Sequence, residues 1–290
     1  MFTSVNVAAI SFRPEKFNLA ANCDLLEATF RRAAKGGAQL AVAPEGVLEG
    51  YVVNEIIAGK AEASQMNDVA ITMKGPEMRR FRALASELKM SLAFGCAEKI
   101  GRNVYNCAVF IDATGRLCGK YHKMQLAEGS HTSWWYNRLG KTSRAFNTPY
   151  GRAGFLICND RWNEDIARIP VLDGARYLLI PSFGSCSKSQ DEAVLARARE
   201  NGVPIVEANV GVTLIISRGE IVALSRQENK ILHGTIDIPA APSTANRDTH
   251  ERNFLRWRKK EMPIRYAQRM NANGKFIKAV RHNTKGRLVG

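Results

Sequence analysis

The chain has no Cys-x-x-Cys pair and no cysteine–histidine cluster at zinc-site spacing. Its six cysteines, Cys23, Cys96, Cys107, Cys118, Cys158 and Cys186, are scattered, several of them in apolar runs. Cysteine in such runs behaves as a small hydrophobe. The pattern excludes a disulfide-stapled scaffold and predicts free thiols in a reducing compartment. No apolar stretch approaches the roughly 20 residues of a membrane-spanning helix. No basic start with a long apolar region opens the chain, because Met1-Phe2-Thr3-Ser4 leads straight into a short strand-like run. These absences predict a soluble, cytoplasmic protein. No internal repeat is visible. What remains, 290 residues of which 45% are hydrophobic, suffices for one large α/β domain with a real core.

Acidic residues are in the minority, 27 against 42 Lys and Arg, for a net charge of +15. The imbalance is concentrated at one end. From Arg247 to Gly290 there are thirteen Lys/Arg and three Asp/Glu. A basic tail can attract nucleic acid or other anions. Aromatic interleaving is thin, however, beyond Phe254, Trp257, Tyr266 and Phe276, and no recognition motif is present. A solvated or subunit-crossing arm is the simpler reading. Pro239 to Thr244 marks the boundary, dividing the chain into a body at 1–245 and a basic arm at 246–290.

Hydrophobic periodicity predicts an alternation of strands and helices. Val5–Ile10 reads as a strand, Leu19–Lys35 as an amphipathic helix between Asn18 and Gly36-Gly37, and Leu40–Ala43 as the next strand. This β-α-β opening indicates an α/β fold. A helix over 73–90, strands over 91–97 and 106–111, and a turn at Asp112–Arg116 follow. The stretch 124–150 lacks periodicity and holds Trp134, Trp135 and Tyr136. Beyond Cys158 come a helix to Asp173-Gly174, a strand over 177–180, a helix over 188–201, and strands over 204–208, 212–216, 221–224 and 231–238.

Three apolar runs end in a chemically active residue. Leu40-Ala41-Val42-Ala43-Pro44 ends in Glu45, Leu117 to His122 ends in Lys123, and Phe155-Leu156-Ile157 ends in Cys158. A buried strand whose last residue emerges into a polar pocket is a common way to present a catalytic group. A carboxylate, an ammonium and a thiol so placed form a catalytic set.

The elements Pro44-Glu45, Tyr121-His122-Lys123 and Ile157-Cys158-Asn159-Asp160, in this order, resemble those of the nitrilase superfamily, the carbon–nitrogen hydrolases. Arg197–Asn201 followed by Val203–Asn209 adds a fourth similar stretch, and the resemblance spans roughly residues 1–240. It implies an α-β-β-α sandwich of two sheets covered by helices. It implies Cys158 as nucleophile, Glu45 as the group that takes and returns its proton, and Lys123 as the cation beside the thiol and the developing oxyanion, with the backbone N–H of Asn159. A second family glutamate after the lysine corresponds to Glu128. No metal and no organic cofactor is needed. The partners implied are a small amide or carbamoyl substrate and further copies of the chain, in a homodimer or higher homo-oligomer contacted by the C-terminal arm.

Cys158-Asn159-Asp160-Arg161-Trp162 resembles the nucleophile segment of the N-carbamoyl-amino-acid amidohydrolase branch. There an Asn and arginines hold a substrate carboxylate, which assigns that role to Asn159 and Arg161. This chain has one arginine where the branch has two, and Asn163-Glu164 where it has Pro-Glu. Arg161 can instead pair with Asp160 or Glu164 to hold the loop. Trp134, with its aromatic neighbours, fits a pocket wall or a subunit contact. His122 is not the base, since strand alternation turns it away from Lys123. The expected activity is hydrolysis of a linear amide or N-carbamoyl compound through a thioester, releasing ammonia. A nitrilase uses the same three residues, and anion or nucleic-acid binding through the tail and a catalytically silent scaffold are the alternatives from other classes.

Overall fold

Apolar runs that alternate with amphipathic helices build two six-stranded sheets. The computed structural model describes residues 2–130, 138–240, 245–269, 281–282 and 288–289. In chain order the first half contains β1 (Phe2–Ser11), α1 (Leu19–Lys35), β2 (Leu40–Val42), α2 (Val53–Ile57), α3 (Met66–Val69), α4 (Pro76–Leu88), β3 (Ser91–Ile100), β4 (Asn103–Ile111) and β5 (Leu117–His122). The second half contains β6 (Phe146–Thr148), β7 (Gly151–Phe155), α5 (Glu164–Leu172), β8 (Tyr177–Ser182), α6 (Lys188–Asn201), β9 (Ile205–Asn209), β10 (Val212–Ser217), β11 (Glu220–Ser225), β12 (Lys230–Pro239) and α7 (Asp248–Arg269).

The first sheet has the order β12-β1-β2-β3-β4-β5 and the second β11-β10-β9-β8-β7-β6. Each has a parallel centre, β1-β2-β3 and β7-β8-β9, flanked by antiparallel strands. Parallel strands covered on both faces read as unbroken apolar runs, and β8 is buried along its whole length. Helices α1 and α4 cover the outer face of the first sheet through Leu26, Phe30, Phe81 and Leu84. Helices α5 and α6 cover the second through Ile166, Ile169, Val194 and Ala198. The inner faces meet where Val7, Val42 and Phe110 join Phe155, Leu179 and Val206 in one cluster. The α-β-β-α sandwich expected from the sequence is therefore the observed architecture.

Local signals explain the helix ends. Asn18 caps α1, its Oδ1 accepting from the Ala21 N–H at 3.2 Å. Pro76 opens α4, where its missing N–H costs nothing. The expected helix over 73–90 is thus trimmed at both ends. Periodicity missed the short α2 and α3, and the edge strand β6.

The basic tail contains a 22-residue helix that folds back on the body. Arg144 forms a two-pronged pair with Glu251 at 2.8 and 3.0 Å, His250 Nδ1 lies 2.8 Å from Asp165 Oδ1, and Phe254 is fully buried in the main cluster. No helix among the described residues is long and apolar enough to cross a membrane.

Candidate active site

The two sheets bring the ends of β2, β4, β5, β7 and β8 together, and the three strand-end residues meet there. The chain leaves β2 through Ala43-Pro44-Glu45 and stays hydrogen-bonded along β3: the Gly95 N–H donates to Pro44 O at 3.0 Å and the Val47 N–H to Gly95 O at 3.2 Å. Gly95 is required here, because a Cβ at that position would lie 2.5 Å from Glu45 Cα.

Glu45 is completely buried. Its Oε1 accepts from Lys123 Nζ at 2.7 Å and from Asn106 Nδ2 at 2.6 Å, and its Oε2 accepts from the Phe183 N–H at 3.1 Å. Three donors from β4, the end of β5 and the end of β8 thus fix the carboxylate. A buried charge of this kind is tolerated only when paired and hydrogen-bonded. Lys123 is also buried, and Glu45 with the other nearby acidic groups holds its pKa above the usual lysine value despite burial. It stays an ammonium. Its backbone N–H donates to Asn106 O at 2.8 Å, so Asn106 orients both members of the pair.

Cys158 follows β7 and opens a short 3-10 turn, Cys158–Trp162. The sequence suggested strand up to the cysteine, but β7 ends at Phe155. Cys158 itself has φ of 46°, a left-handed conformation that costs about 1–3 kcal/mol for a residue with a side chain. Two neighbours hold it there. Asp160 Oδ2 accepts from the Ile157 N–H at 2.9 Å and from the Tyr121 hydroxyl at 2.8 Å. Arg161 Nε donates to Cys158 O at 2.6 Å. The thiol points at Phe183 O, 3.6 Å away. The Phe183 backbone therefore serves both groups, its N–H donating to Glu45 and its carbonyl accepting from Cys158.

Burial, reinforced by the Glu45 carboxylate, pushes the Cys158 thiol up to about 11, against the opposing pull of Lys123 and Arg161. Burial also pushes Asp160 up to about 6, with Lys123 opposing. The resting Cys158 side chain is therefore a neutral thiol, and a thiol in that state needs a base to act as a nucleophile. The carboxylate that raises the thiol, Glu45, lies close enough to act on it electrostatically.

Arg161 takes a different position from the one expected of a substrate ligand. Its guanidinium turns into the protein, where Nη1 lies 2.8 Å from Glu207 Oε1 and Nη2 donates to Ser182 Oγ at 2.6 Å. Both side chains of the Arg161–Glu207 pair are almost fully buried. This corrects the expectation that Arg161 captures a carboxylate. It does hold the loop, but through Glu207 and not Asp160 or Glu164. Asn159 is buried, its carbonyl accepts from Gln125 Nε2 at 3.2 Å, and its Nδ2 has no partner among the described residues. Glu128 is nearly buried and close enough to act electrostatically on Lys123. Trp134, Trp135 and Tyr136 lie outside the described residues. His122 turns to the opposite face of its sheet, as alternation predicts, and contacts Glu98.

Sequence reasoning missed Asn106, the Phe183 backbone and Glu207. The first two contact Glu45 from positions 61 and 138 residues away, and no local pattern signals them. Glu207 lies inside a stretch that resembles the family, but its partner was not legible.

The family model for carbon–nitrogen hydrolases matches residues 6–246. The chain is 31% identical over 187 residues to the bifunctional nitrilase/nitrile hydratase NIT4B of Lupinus angustifolius, covering 61% of this chain and 51% of that protein. It spans about half the length of the plant nitrilase/nitrile hydratases that it matches. It is 31% identical over 217 residues to a citrullinase of Francisella tularensis, covering 71% and 73%. It is 30% identical over 216 residues to an N-carbamoylputrescine amidase of Oryza sativa subsp. japonica, covering 73% and 68%. Among solved structures, an amidase from Nesterenkonia sp. superposes with a TM-score of 0.69 at 21% identity, over 87% of this chain and 96% of that one. The match to the family model over most of the chain, on this fold, shows that the chain belongs to the carbon–nitrogen hydrolase family.

Proposed function

We propose that this hydrolase is a thiol amidohydrolase that cleaves a small linear amide or N-carbamoyl compound through a Cys158 thioester and releases ammonia. The observation that carries this reading is the buried Glu45 carboxylate, held by Lys123, Asn106 and the Phe183 N–H beside a neutral thiol. As Sγ attacks the carbonyl carbon, Glu45 takes the thiol proton and the C=O electron pair moves onto oxygen. The Lys123 ammonium and the Asn159 backbone N–H stabilise that oxyanion. Collapse expels the amine, which leaves with the proton from Glu45. Glu45 then takes a proton from water as the water attacks the thioester. The second collapse restores the thiol and frees the acid.

Glu128, close to Lys123, is the further carboxylate assigned to orient it. Asn159, with an unpartnered buried Nδ2 next to the nucleophile, is the residue assigned to substrate. Two relatives carry names for citrulline and N-carbamoylputrescine, which favours a carbamoyl group. Nitrile hydrolysis is the second reading, favoured by the relatives named nitrilase/nitrile hydratase.

Ammonia release from N-carbamoyl amino acids, N-carbamoyl amines, simple amides, ω-amides and nitriles tests the proposal, with Cys158→Ala as control. Cys158-dependent release from amides or carbamoyl compounds is expected. Release from nitriles alone would replace it with the second reading, and release that persists in Cys158→Ala would overturn both.

A further inference from the structure

Directly behind the Glu45–Lys123 pair, on the other face of the first sheet, three metal-ligating side chains meet. Glu98 comes from β3, Cys107 from β4 and His122 from β5. The registers pair Cys96 with Cys107 and Cys107 with His122, and Glu98 faces the same way two residues beyond Cys96. One ligand atom from each of Glu98, Cys107 and His122 lies within 4.8 Å of the others. Glu98 and Cys107 are buried, and His122 is partly exposed.

We propose that Glu98, Cys107 and His122 form a binding site for one zinc-like divalent cation, distinct from the catalytic centre. The donor set is the first argument. A thiolate, an imidazole and a carboxylate are the three ligand types that zinc takes, at about 2.0–2.3 Å, and a thiolate disfavours calcium and magnesium. The outer contacts are the second. A metal-bound carboxylate needs its other oxygen held, and Lys120 Nζ lies 2.5 Å from Glu98 Oε1, which leaves Oε2, the atom facing His122, for the cation. Cys96 sits opposite Cys107 in the β3–β4 register, beside the sulfur that would face the cation. The Tyr105 ring stacks on His122 with centroids 4.2 Å apart and fixes the imidazole plane. Access is the third. A cavity of about 400 Å³, lined by Tyr105, Lys120, His122, Leu139 and Lys141, opens beside the imidazole.

The site ties three strands together where it matters. Asn106 is next to Cys107 and Lys123 is next to His122, and both turn their side chains to Glu45. A bound cation fixes β4 and β5 from behind the carboxylate they position. Binding requires the Cys107 thiolate and a neutral imidazole, so it releases protons.

Cobalt(II) tests the proposal, because thiolate coordination gives a near-ultraviolet charge-transfer band and tetrahedral geometry gives visible bands. The full-length, chelator-treated and reduced protein is titrated alongside Cys158→Ala, Cys107→Ser and His122→Gln. Wild type and Cys158→Ala are expected to saturate at one equivalent with both bands, and zinc is expected to displace the cobalt. Cys107→Ser loses the charge-transfer band, and His122→Gln weakens binding by at least about tenfold. His122 is partly exposed, so its variant keeps the test in force if the buried cysteine variant does not fold. Absence of a band at one equivalent in wild type, a band that survives in Cys107→Ser, or unchanged affinity in His122→Gln would overturn the assignment.

Discussion

Lys123 Nζ lies 2.7 Å from Glu45 Oε1, and both side chains are almost fully buried. The two charges share one buried site with a thiol beside them. Each charge needs the other: desolvation of an unpaired carboxylate or ammonium far exceeds what one hydrogen bond returns. On the proposed mechanism, catalysis and stability are therefore coupled at this pair.

Removing one partner should be costly on both counts. Glu45→Gln and Lys123→Met each leave the other residue charged and buried, a loss of about 3–5 kcal/mol. The double variant should lose less than the sum of the two singles. Denaturant unfolding of the four proteins measures this, and additive losses would contradict a buried coupled pair. Both singles should also reduce kcat by at least about a hundredfold, the scale for loss of a general base or an oxyanion donor.

The thiol supplies the second prediction. With its pKa at about 11, Cys158 is mostly protonated at neutral pH. Its alkylation by iodoacetamide, followed by peptide mass spectrometry, should rise with pH through 9 and be only half-maximal near 11. The Glu45 carboxylate raises this pKa, so Glu45→Gln should shift the curve to lower pH while hydrolysis falls. A wild-type plateau below pH 8 would show a resting thiolate and remove the need for Glu45 as base.

The candidate set of Glu45, Lys123 and Cys158 was legible because each member ends an apolar run. That is a local signal, and β2, β5 and β7 end one to three residues before Glu45, Lys123 and Cys158. What was hidden is long-range. Arg161 reads as a carboxylate ligand or a local loop clamp until β9 brings Glu207 to 2.8 Å. Glu98, Cys107 and His122 are nine and fifteen residues apart in sequence, a spacing that signals no metal site, and only the β3–β4–β5 pairing joins them. The helix α7 was read as part of a basic arm. Its polar residues surround a few anchors, Phe254 and Met262 among them, and burial against the body, not periodicity, stabilises it.

Arg161 separates two roles by kinetics. A group that holds the nucleophile turn affects every substrate alike, whereas a carboxylate ligand affects only substrates that carry one. Arg161→Lys keeps the charge but loses the fork that reaches Cys158 O, Ser182 Oγ and Glu207 together. It should lower kcat by about tenfold or more for all substrates, the scale for a slight misplacement of a reacting group, with little change in KM. A rise in KM confined to carboxylate-bearing substrates would return Arg161 to substrate binding.

Asp160 makes the last prediction, on stability against pH. Burial raises its folded pKa from 3.8 to about 6, so between these values the folded protein holds a proton that the unfolded chain has released. Unfolding free energy must then fall as pH rises through this window. The contribution is fully present below about pH 4 and lost above about pH 6, the reverse of an ordinary salt-bridged aspartate. A shift of this size corresponds to roughly 3 kcal/mol. Asp160→Asn cannot titrate, but it keeps an oxygen for the Ile157 N–H and the Tyr121 hydroxyl. The wild-type minus variant difference in unfolding free energy, measured by denaturant at pH 4 to 7, should therefore decline with pH and flatten above 6. A difference that grows with pH would mean that the carboxylate is stabilised as an anion, with Lys123 outweighing burial at the nucleophile turn.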